Sequence, residues 1–359
     1  MVTPGRTIVV VAAAVLFQAA VATAQDVRVE GVDSLRVRLN LQPQFNTTSA
    51  DEEPSSEWLM RRARAGLRVW AAGFVRGDLE FGFGKGKAKL TDGYVRLSFG
   101  ELDVRAGQFK RPFDALELTS SRELLVIERD GAPRGTAGPT PNGLVGDLGH
   151  ATRDIGAMAE YDFGPGGFSI AAFNGSGDND SETNDGKQVV ARIAGELGGG
   201  WTVAGAWSGR REERPIDVLL GGGSDDLTEG VWRNAFEIAV TAGEYAQPGW
   251  KALAQVMVGD NEESELGGTS DAAFVAVQGI VAYHVPTYEV PYVIGVEPAG
   301  RVGWTDPNDD LDEDEATLWS AGVNLYHHDR VKTQVGVDVL SPAEGDAETA
   351  FRIMSVIGF

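Results

Sequence analysis

The chain has 359 residues, no cysteine, and 31 basic against 53 acidic side chains, a net charge of −22. Lack of cysteine excludes disulfide frameworks, thiolate metal sites and cysteine nucleophiles. The length admits two ordinary domains or one large barrel, so the pattern along the chain has to decide.

The N-terminus reads as an export signal. Met1–Arg6 carries one basic side chain, residues 8–21 are almost entirely apolar, and Ala22-Thr23-Ala24 has the small-x-small form of a signal-peptidase site. A membrane anchor is the competing reading, but the apolar run is shorter than the roughly 20 residues a helix needs to cross a bilayer. The expected organisation is a signal peptide over 1–24, cleaved before Gln25, and a single outer-membrane barrel domain over 25–359.

From Val27 the residues alternate in successive segments of roughly ten, as a transmembrane antiparallel β-barrel requires, because a closed sheet satisfies every backbone group in lipid. Sixteen strands are expected, at 27–46, 58–71, 74–84, 90–99, 102–110, 152–163, 167–174, 187–197, 201–209, 231–243, 249–259, 273–284, 292–304, 316–327, 331–340 and 349–359. Their connections alternate in character. Short turns such as Ala72-Gly73, Gly164–Gly167 and Gly198–Gly200 take the periplasmic side; long polar segments such as 111–151, 175–186, 210–230 and 306–315 take the external side. The acidic runs at 178–185, 260–265 and 306–315 all fall in the long set. In the last strand Phe351, Ile353, Ile357 and Phe359 share a face broken only by Ser355, which resembles the terminal strand read by barrel-assembly machinery.

The same alternation separates lipid from lumen. In the second strand Leu59, Ala63, Ala65, Leu67 and Val69 are assigned to lipid and Arg62, Arg64 and Arg68 to the lumen, with Arg61 breaking the rule at the interface. Arg36 and Arg38 are placed inward opposite Leu35, Val37 and Leu39, and Arg76, Arg96, Arg105 and Arg192 by the same logic. An arginine facing lipid near the midplane costs about 2–4 kcal/mol, which forces the inward choice. Eight arginines of the first five strands therefore line one wall, facing the acids Asp78, Glu80, Asp92 and Asp103. Guanidinium groups stay charged and bind oxyanions bidentately, so the excess suits an anion path, while full pairing with the acids is the bland alternative. Lys85, Lys87 and Lys89 recur at every second position near the second external loop, either as an anion funnel or as a solubilising turn.

Enzyme chemistry finds no support. His150, His284, His327 and His328 have no ligand partner at useful spacing, Thr119-Ser120-Ser121 lacks a nucleophile-elbow context, and Gly82-x-Gly84-x-Gly86 has no following helix. Asp306–Asp312 fails the calcium-loop pattern, having Leu311 where glycine is needed and Thr317 where the loop ends in glutamate. No cofactor and no nucleic-acid partner is expected.

Several motifs are specific. They are Met60-Arg61-Arg62-Ala63-Arg64, Leu90-Thr91-Asp92-Gly93-Tyr94-Val95, Arg105-Ala106-Gly107-Gln108-Phe109-Lys110-Arg111-Pro112-Phe113, Leu116–Arg122, Ile127-Glu128-Arg129 and Arg153-Asp154-Ile155-Gly156. Through them the stretch from Met60 to Gly195 resembles the phosphate-selective porin O and P family. The resemblance implies a sixteen-stranded trimeric porin whose long third external loop folds into the lumen. The segment 111–151 has the length and position of that loop, and some 40 residues without regular structure need a function. Lys110, Arg111, Arg122, Arg129 and Arg134 are its candidate constriction residues, with Glu117, Glu123 and Glu128 as structural partners. The chain has only seven lysines, few beside the lysine-rich pores of phosphate-selective members. The expected function is passive diffusion of small hydrophilic solutes with an anion preference, phosphate or similar oxyanions included, by a homotrimer in lipid and lipopolysaccharide. A structural or adhesive barrel with a plugged lumen is the alternative.

Overall fold

Strands with one apolar and one polar face can leave no unpaired edge in lipid, and here the sheet closes on itself. The computed structural model describes residues 31–84, 87–180, 186–215, 228–261 and 272–359. Among them sixteen strands follow in order: β1 (Ser34–Thr47), β2 (Ser56–Ala71), β3 (Val75–Gly82), β4 (Lys89–Phe99), β5 (Leu102–Lys110), β6 (Arg153–Asp162), β7 (Gly166–Phe173), β8 (Gln188–Gly198), β9 (Trp201–Pro215), β10 (Thr228–Ala242), β11 (Gly249–Asp260), β12 (Ala273–Pro286), β13 (Gly295–Asp306), β14 (Ala316–His328), β15 (Val331–Pro342) and β16 (Glu348–Gly358). Every strand pairs with its sequence neighbours, and β1 pairs with β16 to complete an antiparallel barrel. The first strand begins at Ser34 instead of 27; residues 27–30 lie outside the described set, as do the signal segment, Lys85 and parts of the acidic runs at 178–185 and 260–265.

The faces sort by chemistry. Val37, Leu67, Leu79, Phe81, Val95, Ile170, Ile193 and Trp319 are exposed on the outside, while Gln42, Gln44, Asp78, Glu237, Gln255, Glu297 and Lys332 are buried inside. An apolar exterior around a polar interior inverts a soluble protein and fits a solvent of hydrocarbon.

One irregularity corrects the sequence reading. Gln42 pairs with Arg62 but Pro43 pairs with Met60, so Arg61 is left over as a bulge. Pro43 has no N–H to give to the ladder, and a bulge is where a strand tolerates that. The extra residue inverts the alternation beyond it. Leu59 is therefore opposite the buried Gln44 instead of facing lipid, and Trp58 and Met60 take the outer face. Arg61 turns inward, 2.6 Å from Glu128, and is no interfacial residue.

The closing seam uses the last residue. Phe359 N–H donates to Leu39 O at 3.0 Å and Leu39 N–H donates back to Phe359 O at 3.2 Å. Each such bond contributes about 1 kcal/mol net, and both lie at the final step of closure. Deleting Phe359 is expected to lower the yield of barrel in the outer membrane while secretion to the periplasm continues. Unchanged outer-membrane yield would show that the seam closes without it.

Two short helices, α1 (Ala115–Leu118) and α2 (Pro141–Asp147), lie in the long segment between β5 and β6. Asp114 caps α1 by accepting from Leu116 and Glu117 N–H, and Thr140 caps α2 by accepting from Gly143 N–H. Side chains of distant strands hold this segment. Glu237 of β10 accepts from Asp114 and Ala115 N–H, Gln255 of β11 accepts from Leu116 N–H, and Lys332 of β15 donates to Leu124 O at 2.6 Å. Asn324 of β14 donates to Leu125 O, and Arg352 of β16 donates to Gly131 and Ala132 O.

Candidate functional site

The inner faces of β1–β6 carry a chain of guanidiniums and carboxylates, brought together because the register sets inward polar residues of neighbouring strands side by side, as in Arg36–Arg68, Arg68–Asp78, Arg76–Arg96 and Arg96–Arg105. Arg38 of β1, Arg68 of β2 and Arg76 of β3 all reach Asp78, at 3.2, 2.6 and 2.8 Å. Arg64 lies 3.5 Å from Glu80. Arg153 grips Asp92 through two bonds of 3.0 and 3.2 Å. Arg105 is 2.6 Å from Glu160, and Arg96 bonds Asp103. Aromatic rings brace the planar heads: Arg36 and Arg68 lie over Trp70 at 5.0 and 5.8 Å, and Arg105 over Tyr94 at 4.8 Å.

Arg62 differs from its neighbours. It is buried, donates to Gln42 Oε1 at 2.8 Å and lies 3.7 Å from Glu128. Burial opposes ionisation of Glu128, but Arg61 and Arg62 outweigh it and hold the carboxyl down at about 2. Of the lysines, Lys89 pairs with Asp178 at 2.6 Å, Lys87 is exposed, and Lys85 is outside the described residues.

The segment after β5 distributes its charges unevenly. Lys110 pairs with Glu117 at 3.2 Å, Arg129 with Glu117 at 3.3 Å, and Arg134 with Glu57 at 3.4 Å. Arg111 is 2% exposed, donates to Ala151 O and meets Asp154 at 2.6 Å. It ties together the two ends of the segment and is shut off from any solute. Arg122 makes no ion pair among the described residues. A cavity of about 470 Å³ lies between this segment and the wall, lined by Arg38, Arg64, Arg68, Arg105, Lys110 and Arg122 among others.

Sequence reasoning missed several of these residues. Glu160 and Arg153 belong to the wall, but their odd separation breaks the two-residue period and Glu160 shares its face with Met158 and Gly156, so the alternation of β6 does not bring the two together. Arg301, Lys332 and Arg352 face inward from β13, β15 and β16 and bind backbone carbonyls of the long segment. Nothing local in their sequence announces partners that far away.

Asp114 is fully buried beside Glu237 and supplies a pH test. Burial first, and then the Glu237 and Glu117 charges, push its carboxyl up to about 7, against hydrogen bonds from Gln255 and the Glu117 N–H. An aspartate in an unfolded chain titrates near about 3.9. The folded form thus holds the proton more tightly, and the stability this gives is complete below about pH 4 and lost as pH rises to about 7. Hydrogen exchange at residues 114–118, corrected for intrinsic rates, should be faster at pH 8 than at pH 5, and Asp114→Asn should remove most of the difference. Equal protection at both values would show that the carboxyl does not titrate between them.

A closed antiparallel barrel of sixteen strands, apolar outside and charged around an internal cavity, defines an outer-membrane channel. The chain belongs to the phosphate-selective porin O and P family, whose profile matches residues 34–235, more than half of its length. Solved structures share the fold. The anion-selective porin of Comamonas acidovorans superposes with a TM-score of 0.62 at 13% identity, covering 91% of this chain and 99% of its own. The outer-membrane channel DcaP of Acinetobacter baumannii gives 0.60 at 14% identity, covering 93% and 99%. The trimer form of OmpT from Vibrio cholerae gives 0.60 at 12% identity, covering 90% and 99%. No curated protein sequence matches the chain.

Proposed function

We propose that this channel passes small hydrophilic solutes by diffusion, prefers anions, and is narrowed by the 111–152 segment lying inside the barrel. The observation that carries this reading is the cavity beside the segment, whose cationic lining sits on the β1–β6 wall. On that wall the ion-paired network holds seven arginines (Arg38, Arg64, Arg68, Arg76, Arg96, Arg105, Arg153) against five carboxylates (Asp78, Glu80, Asp92, Asp103, Glu160), leaving positive excess. Cations on the opposite wall are spent on the segment's carbonyls and on Asp338 and Glu297. The open path therefore follows the arginines.

The net charge of −22 does not oppose this. Asp309, Asp310 and Asp312 are exposed in an external loop, where the field of a charge decays over about 8 Å at physiological salt. Charges between low-dielectric walls are focused instead. The name of the Comamonas acidovorans neighbour agrees with an anion preference, and phosphate or related oxyanions are the solutes this chemistry suits. The trimer form of OmpT supports a homotrimer. The setting is lipid and lipopolysaccharide, reached by export with cleavage before Gln25 and by insertion through the barrel-assembly machinery.

Purified protein in a planar bilayer should give discrete conductance steps and, across a salt gradient, a reversal potential of anion sign. Absence of steps would favour a barrel plugged by its own loop, and a cation sign would remove the role given to the arginines.

A further inference from the structure

Asp78 occupies a position unlike that of any other acid on the arginine wall. Three strands each send it one guanidinium, and its own side chain is 0% exposed, while those of Arg38, Arg68 and Arg76 keep 28%, 27% and 22%. The carboxylate is thus sunk beneath three cations that face the lumen. The heads are also braced from the side: Arg68 lies over Trp70, and Arg76 donates to the Tyr94 hydroxyl at 3.0 Å. Asp92 and Asp103, by contrast, each bind one arginine.

The node has three positive charges around one buried carboxylate, with Glu80 3.9 Å from Arg38 at its edge. Three guanidiniums at such spacing would close around a passing oxyanion as a fork of charge-assisted donors. A channel must bind its solute firmly enough to admit it and weakly enough to release it. Resting on the anion-pore reading above, we infer that Asp78 sets the dwell time of the permeating anion. It is a resident carboxylate that accepts a hydrogen bond from Arg68 and lies in ion-pair range of Arg38 and Arg76, so a solute meets a cluster that attracts it but whose charge is already partly engaged. Asp78 is a positioning residue in this sense, and release is what it governs.

The test is the concentration dependence of chloride current through single channels of the full-length protein, with and without added inorganic phosphate. Asp78→Asn should lower the half-saturating chloride concentration by about fivefold or more, the factor that one unit charge a few ångströms away contributes even at the dielectric of water. It should also make phosphate a blocker of the chloride current at concentrations that leave the native pore conducting. Asp103→Asn removes the same charge from the same wall but releases one paired guanidinium instead of three, and should shift the half-saturation much less. Asp78→Glu should stay close to the native value. If Asp78→Asn assembles with native concentration dependence, or shifts no further than Asp103→Asn, the role of Asp78 is overturned. If it does not assemble, Arg76→Gln serves in its place: it leaves the carboxylate shared by two guanidiniums and should raise the half-saturating concentration, and an unmoved value overturns the inference equally. A native pore that prefers cations would instead remove the underlying reading, whatever the variants did.

Discussion

Changing Arg38, Arg64 and Arg68 together to glutamine is expected to carry the reversal potential of the pore from the anion to the cation side. The ion-paired wall then holds four arginines against five carboxylates in place of seven against five, so its sign inverts. Asp78 keeps Arg76 at 2.8 Å and is not left as an orphaned buried charge. Arg62 is deliberately absent from the set, because it is buried against Glu128 and acts on the loop. Neutralising Asp309, Asp310 and Asp312 removes as many charges from the external surface and should hardly move the potential, since they face bulk electrolyte. A triple arginine variant with native selectivity would mean that the guanidiniums only brace the wall.

Loss of Arg301 should widen the channel. Its guanidinium donates to Glu128 O at 3.1 Å, Arg129 O at 2.6 Å and Ser320 Oγ at 2.9 Å, and pairs with Asp338 at 3.1 Å. The fit is close enough that a Cβ on Gly131, at φ +82, would collide with the Arg301 guanidinium. Removing one partner of a buried ion pair costs about 3–5 kcal/mol. Here, however, Asp338 of β15 keeps Arg352 and the backbone ladder of β13 is untouched, so what Arg301→Ala takes from the loop is two charge-assisted hydrogen bonds, about 1.5–3 kcal/mol each. Single-channel conductance should rise and become noisier, and Arg301→Lys, which restores charge without the planar fork, should fall between. Quiet, native conductance from Arg301→Ala would show the loop fixed by its other anchors alone.

What the sequence made legible follows from a period of two. Arginine cannot face hydrocarbon, so Arg38, Arg64, Arg68, Arg76, Arg96 and Arg105 declared their side of the sheet, and most strand limits followed from the same alternation, though β1 starts at Ser34 instead of 27 and β9 runs to Pro215 instead of 209. That reasoning fails where the period breaks. In Met60-Arg61-Arg62 nothing tells which arginine is the surplus residue; only the pairing of Pro43 with Met60 identifies Arg61, and with it the inward turn of Leu59. The loop was legible as a length and not as a set of contacts. Arg111 and Arg122 both looked like constriction residues, yet Arg111 is sealed against Asp154 while Arg122 borders the cavity. Arg111 is sealed by partners 40 and 43 positions away, brought back to it by the turns of the loop, which no local pattern encodes.

The seam between β1 and β16 has a bearing on how this channel is born. Arg352 of β16 gives its guanidinium to carbonyls 221 and 220 positions earlier, at Gly131 and Ala132, and also bonds Asp338. Contacts between segments so far apart in the chain form late. A nascent barrel whose final strand is still unpaired lacks the Arg352 anchor, and the loop that we place across the lumen is short of one of its moorings. On the reading proposed above, the last strand to arrive tightens the loop, and a protein stalled one strand short of closure would be open at its edge and looser at its centre.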